Sequence, residues 1–384
     1  MPGKNHFREP SFTLGIEEEY LLVDRETLDL VSDPPASILE ECQKLTSSQV
    51  SPELLRSQIE VGTRVCRSVA EARRDLAQLR RVVAEVAGKS GFAPIAASTH
   101  PFGRWVDQQH SPVARYSDLS DEMQAAARRL LICGMHVHVG IDDDELRIDL
   151  MGQLRYFLPH LLALSTSSPF WEGIDTGLHS YRLTIFDALP RTGLPESFES
   201  YAEYRRHVDV LVHAGLLEDA TKIWWDLRPS DRYPTLETRI FDVCTRLDHA
   251  VSLAALTACL LRCLYRLRRR NQRWRIYNLM LLNENRWRAM RYGMDEGLLD
   301  LARSEIVPVP QLVEEILELV AEDAEALGCV EEVKGVRDIL ANGTSTHRQV
   351  EAYRRARQSG ASEQEALREV VEYLIEDTLH GTEE

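Results

Sequence analysis

The chain has 384 residues, 44% of them apolar and 28% charged, with a formal net charge of −16. That length fits one large domain, 1–384, or two fused lobes, and the apolar share can bury a core. The negative charge excludes nucleic acid as the main partner, because phosphate backbones need a basic footprint. Seven cysteines at 42, 66, 133, 244, 259, 263 and 329 form no CxxC pair, as expected of reduced thiols.

Met1 to Pro10 is polar and has no apolar h-region, so no secretory signal is expected. No apolar run reads as a membrane span, and cytoplasmic localisation without a membrane partner follows as the expectation. Phe12 to Val23 reads as a strand with an acidic middle, and 35–45 as a helix. Arg56 to Gly62 reads as a short strand. Ser68-Val-Ala-Glu71 is a capping box opening a helix that runs to Ala87. Phe92 to Ser98 and Leu130 to Ile141 read as strands, and Leu150 to Leu164 as a helix.

The stretch 165–195 lacks periodicity and is long for a plain connection, which marks it as functional. Leu236 to Val243 alternates like a strand. From Leu247 to the end the pattern is helical, with a stop at Gly343 and capping boxes at Thr346-His-Arg-Gln349 and Ser362-Glu-Gln-Glu365. Residues 247–384 are thus expected to form the mainly helical part of the same domain. Strands first and helices afterwards predict an α+β fold.

Four strands carry groups with chemistry. In Gly15-Ile-Glu-Glu-Glu-Tyr20, alternation puts Glu17 and Glu19 on one face and Glu18 on the other. Two carboxylates sharing a face call for a cation such as Mg²⁺ between them; a solvated edge strand is the plain alternative. Glu60, in Ser57-Gln-Ile-Glu-Val-Gly62, reads alone as an ordinary surface glutamate. His136 and His138 share a face in Gly134-Met-His-Val-His-Val-Gly140, as metal or phosphate ligands or as bonded core histidines. In Pro234-Thr-Leu-Glu-Thr-Arg-Ile-Phe-Asp242, Glu237 and Arg239 share a face, as an ion pair or as a metal ligand beside an anion-binding guanidinium.

Arg182 lies in the irregular stretch, and Arg288 and Arg291 lie three apart on a helical face. Neither a GxxxxGK[ST] loop nor a GxGxxG turn occurs, so a bound nucleotide would rest on metals and arginines.

Nine stretches then stand in one order between residue 15 and about 349: GIEEEY, SQIEVGT, STHPFGRW, GMHVHVGI, SSPFWEGIDTGLHSYR, WWDLRPS, PTLETRIFD, ENRWRAMRYG and THRQ. Together they resemble the carboxylate-amine ligase (YbdK-like) branch of the type 2 glutamate–cysteine ligase family. The resemblance implies a glutamine-synthetase-like ligase fold, an antiparallel sheet funnel with surrounding helices. It implies ATP and Mg²⁺ as cofactors, with Glu17, Glu19, Glu60 and Glu237 as metal ligands. His136, His138 and Arg288 are implied on the nucleotide side, and Arg239 and Arg182 as catalytic groups.

The implied reaction is ATP-dependent amide formation on the γ-carboxylate of glutamate through an acyl phosphate, with weak glutamate–cysteine ligase activity within its scope. The partners expected are small-molecule substrates, an amino acid carboxylate and an amine, and a second copy of the chain in a homodimer. A metal-dependent hydrolase built on the HxH strand and a catalytically silent metabolite-binding relative are the competing classes.

Overall fold

The computed structural model describes residues 9–383, so the start of the polar N-terminal stretch lies outside the described residues. A seven-stranded antiparallel sheet organises the first two thirds. Its strands are β1 (Leu14–Asp24), β2 (Val50–Pro52), β3 (Gln58–Gly62), β4 (Phe92–Ile95), β5 (Met135–Gly140), β6 (Leu227–Pro229) and β7 (Thr235–Thr238). The order is β6-β7-β5-β1-β3-β2, and β4 pairs with the C-terminal half of β1. The eleven residues of β1 therefore touch β3, β4 and β5, which makes it the central strand.

One face of the sheet is covered by helices α1 (Val69–Gly88), α2 (Leu247–Arg269) and α3 (Glu363–Thr378). Ser68 caps α1 by accepting from the Glu71 N–H, and Ser362 and Glu365 cap α3 reciprocally. Among the described residues, α2 alone is long and apolar enough to cross a membrane, contrary to the reading of the sequence, but 83% of its most apolar window is buried inside the fold. Arg262, Arg266, Arg268 and Arg269 gather in its last turns, where cations suit the carbonyl end of the helix. The buried hydrophobic cluster runs from Phe12 to Leu374. All seven cysteines are free and buried within it.

Several predicted boundaries shift. The expected Leu150–Leu164 helix is two helices, Asp144–Leu154 and Leu158–Ser165, with Pro159 starting the second. The strand expected from Leu130 begins only at Met135, and the one expected to Val243 ends at Thr238. The helical C-terminal part contains a hairpin, Leu298–Asp300 with Glu305–Val307. The capping box read at Thr346 sits instead on Thr344, whose backbone N–H and hydroxyl both meet Nδ1 of His347.

Candidate active site

The strand register decides which side chains meet. Glu17 stands opposite His136 on β5 and Gly62 on β3, and Glu19 stands opposite Glu60. Glu237 on β7 stands opposite both His138 on β5 and Arg228 on β6. Residues directly opposite in a sheet share a face, so Glu17, Glu19, Glu60, His136, His138, Arg228 and Glu237 line one surface. That surface is the floor of a cavity of about 310 Å³. Glu53, Arg182, Lys222, Arg232 and Arg239 come to its walls from segments outside the sheet, with Leu130, Ile132, Phe186, Leu189 and Trp224 as an apolar side.

The carboxylates are not equivalent. Burial pushes Glu17 up, but hydrogen bonds from His136 (3.1 Å) and the nearby His138 ring (3.5 Å) outweigh it and hold the carboxyl well below the usual range. Glu237 is likewise raised by burial and then held low by the Arg239 and Arg228 guanidiniums. Arg228 grips it with Nε at 2.9 Å and a second N–H at 3.2 Å, and Arg239 pairs with the same carboxylate. Glu19 accepts from the Gly134 N–H at 2.7 Å. Burial and the charges of Glu53, Glu17 and Glu19 push Glu60 up, and burial and Glu19 push Glu53 up to about 7. Like charges in one dry site cannot all ionise without a cation.

A pH dependence follows. Glu53 and Glu60 hold a proton more tightly folded than unfolded, where glutamate titrates near about 4.3. The stability this adds is complete below that value and is lost as pH rises through the raised values, about 7 for Glu53. In Mg²⁺-free buffer, urea unfolding should show stability falling between about pH 5 and 8, by an amount on the order of 2 kcal/mol. Glu60→Gln should flatten the slope; a wild-type slope already flat would contradict the raised proton affinity of Glu53 and Glu60.

Arg182 starts a short helix, Arg182–Phe186, inside the irregular stretch. Its guanidinium reaches across to the Arg239 carbonyl (3.3 Å) and lies so close to Gly134 that a Cβ there would sit 2.5 Å from it. Only glycine leaves that room. Asp242, fully buried, fixes the approach: it accepts from the Ser167 N–H and from the Ser168 and Ser180 hydroxyls at 2.7–2.9 Å. One terminal N–H group of Arg182 and the Nε of Arg239 are buried with no hydrogen-bond partner. Orphaned donors of this kind in a cavity are built to meet an anion.

Eight of the nine residues singled out from the sequence line the cavity; Arg288 does not. Its guanidinium bonds the carbonyls of Gly297 (3.0 Å) and Glu296 (3.1 Å) and lies over the Tyr292 ring. The same helix, Leu279–Tyr292, instead buries Arg286, which bridges Asp187 and Asp226 at 2.6–3.2 Å behind the cavity. Four charged lining residues were missed: Glu53, Lys222, Arg228 and Arg232. Arg228 lay in the WWDLRPS stretch without an assigned face, and Glu53 precedes β3 in a loop, where no periodicity marks it.

The donor set fits a hard divalent cation: four to five carboxylates and two imidazoles, with an oxygen of Glu17, an oxygen of Glu237 and a nitrogen of His138 within 4.8 Å of one another. Carboxylate predominance favours Mg²⁺ over Zn²⁺.

Comparison with known proteins gives the decisive match, since the model of "Glutamate-cysteine ligase family 2(GCS2)" covers residues 13–373. The chain belongs to glutamate–cysteine ligase family 2. A protein of Rhodospirillum rubrum named "Putative glutamate--cysteine ligase 2" is 60% identical over 376 residues, 97% of each chain. One of the same name from Jannaschia sp. is 58% identical over 371 residues, covering 97% of this chain and 98% of its own.

Among solved structures, a glutamate–cysteine ligase of Francisella tularensis in complex with AMP superposes with a TM-score of 0.67 at 15% identity, over 97% of this chain and 90% of that one. A bifunctional glutathione synthetase of Pasteurella multocida gives 0.66 at 16% identity; the match covers 95% of this chain and about half, 52%, of that protein. The fold is therefore that of the glutamate–cysteine ligases, α+β with an antiparallel sheet and packed helices, as the family-2 motifs implied.

Proposed function

We propose that this family-2 chain is an ATP- and Mg²⁺-dependent carboxylate-amine ligase acting on the γ-carboxylate of glutamate through an acyl phosphate. The supporting observation is the cavity itself, where a carboxylate floor meets arginines whose free N–H groups point at no protein acceptor. Glu17, Glu19, Glu60 and Glu237, joined by Glu53, would hold Mg²⁺, which when bound neutralises phosphate charge and polarises phosphoryl oxygens. His136 and His138 hold Glu17 ionised at neutral pH, so that it is ready as a ligand.

Arg182 and Arg239 offer N–H groups to the transferring phosphoryl group, while Arg228 keeps Glu237 in place. The acid's carboxylate attacks the γ-phosphorus of ATP and ADP leaves. The amine nitrogen then attacks the acyl carbon, phosphate leaves with the bonding pair, and the nitrogen gives up its proton to complete the amide. The apolar wall of Leu130, Ile132, Phe186, Leu189 and Trp224 shields these steps from water that would hydrolyse the acyl phosphate.

The reading is tested by phosphate release from ATP with Mg²⁺ and glutamate across a panel of amines, with the product identified by mass. Amine-dependent release is expected and should vanish on chelation. Binding of ATP with no turnover for any amine would identify a silent relative. Hydrolysis supported by Zn²⁺ without nucleotide would identify a metallohydrolase.

A further inference from the structure

Three of the nine stretches described above, SSPFWEGIDTGLHSYR, ENRWRAMRYG and THRQ, contribute nothing to the cavity beyond Arg182, yet they and Asp295, two residues past the second, converge elsewhere. His179 comes from the irregular segment, Asp295 from the turn after helix Leu279–Tyr292, and His347 from the first turn of helix Ser345–Gln358. Nε2 of His347 lies 3.0 Å from one Asp295 oxygen, and Nε2 of His179 lies 3.4 Å from the other. The two rings stand 5.0 Å apart at 75°, and one ligand atom from each of the three residues falls within 4.8 Å of the others.

Each separation is close to a ligand-to-ligand edge, about 3.3 Å, of a tetrahedral ion bonded at ~2.0–2.1 Å to nitrogen and oxygen, and a turn of the exposed Asp295 carboxylate presents one oxygen to both rings. The geometry points to a second metal site, separate from the ligase cavity, formed by His179, Asp295 and His347 and taking a divalent transition ion such as Zn²⁺. Two imidazoles and one carboxylate suit that borderline-soft class rather than Mg²⁺. The Asp295 side chain is 59% exposed, so water reaches the fourth position.

The backbone is shaped around the cluster. Gly293 takes φ +54°, and a Cβ there would sit 2.4 Å from Nδ1 of the His179 ring. The His179 backbone is fixed on both sides, its N–H donating to Met290 and its carbonyl accepting from Ser168 N–H and the Thr346 hydroxyl. Nδ1 of His179 is buried with no hydrogen-bond partner, so Asp295 alone, through Nε2, bears on which nitrogen carries its proton. Without metal, both Nε2–H groups donate to Asp295. Their hydrogen bonds hold that carboxyl well below the usual range, which keeps it anionic.

On loading, each neutral imidazole carries its one proton on Nδ1 and gives its Nε2 lone pair to the ion. For His347, Thr344 Oγ1 at 2.8 Å accepts that proton. The Thr344 backbone N–H gives up its contact with the same nitrogen, a cost the metal bond must exceed. A bound ion would tie the segment that delivers Arg182 to the helical C-terminal part of the fold.

The test uses the chelator-stripped full-length protein as the parent, with excess Mg²⁺ to fill the cavity's own carboxylate site. Equilibrium dialysis with Zn²⁺ in excess Mg²⁺ should find about one equivalent bound, and Co²⁺ should give the visible absorption of a four-coordinate site. His347→Gln, whose side chain can still cap the helix at that position, should abolish both signals, as should His179→Ala. If His179→Ala fails to fold, Asp295→Asn on the exposed turn takes its place. No Zn²⁺ bound by the parent, or a full equivalent retained by His347→Gln and by Asp295→Asn, would overturn the assignment. The readout is binding, so the ligase reading can fail without affecting it.

Discussion

Arg239→Lys is expected to lower turnover by about two orders of magnitude while leaving unfolding nearly unchanged. Arg239 sits beyond the end of β7, its backbone N–H bound to the Asp226 carbonyl at 2.8 Å and its guanidinium paired with Glu237. A lysine placed there can keep the charge and the pairing, and Arg228 still grips Glu237 from the other side. What lysine cannot reproduce is the planar fork with its Nε directed into the cavity without a partner. If that donor meets phosphoryl oxygens, steady-state turnover at saturating ATP falls; if the arginine only balances acidic charge, it does not. Near wild-type turnover would leave Arg239 as a counter-ion and remove it from the chemistry.

Glu18→Gln should act in the opposite way, costing about 3–5 kcal/mol of stability and much less of the chemistry. Glu18 and Arg80 are both fully buried, on the helix-covered face of β1. All five N–H donors of Arg80 are used: two on Glu18 at 2.6 and 2.9 Å, and three on the carbonyls of Cys244, Thr245 and Thr378. The Tyr20 hydroxyl also donates to Glu18. A glutamine leaves the guanidinium charge buried without its counter-charge, where water cannot reach it. Urea unfolding should show the loss, while activity per folded molecule should exceed that of Glu17→Gln or Glu19→Gln. A midpoint within experimental scatter of wild type would show that the buried pair contributes little.

The contrast between Glu17, Glu18 and Glu19 was legible in the sequence because β1 is long and regular, so period two sorts its faces without help from tertiary structure. The same rule served Glu60, His136, His138 and Glu237. It could not serve Arg228, on a strand of three residues, or Glu53, in a loop. Arg288 went astray for another reason. Helical spacing says which arginines share a face but not which face meets the cavity, and here Arg286 is the buried one. The shifted capping box is similar: Thr344 and Thr346 both suit the spacing, and Nδ1 of His347 takes the place of the usual acidic partner.

The Arg80 bonds also bear on how the protein is made. They join residue 18 in the first strand to residues 244, 245 and 378, and the Thr378 hydroxyl accepts from the Ala96 N–H as well. On the ribosome, the strand that carries Glu17 and Glu19 emerges long before the helix that completes its anchor. Until that helix is released, Arg80 and Glu18 have only part of their shell, and the nascent sheet keeps an incomplete underside. Contacts this far apart in sequence are slow to close, so a stalled or truncated chain presents an open, apolar sheet to chaperones and proteases.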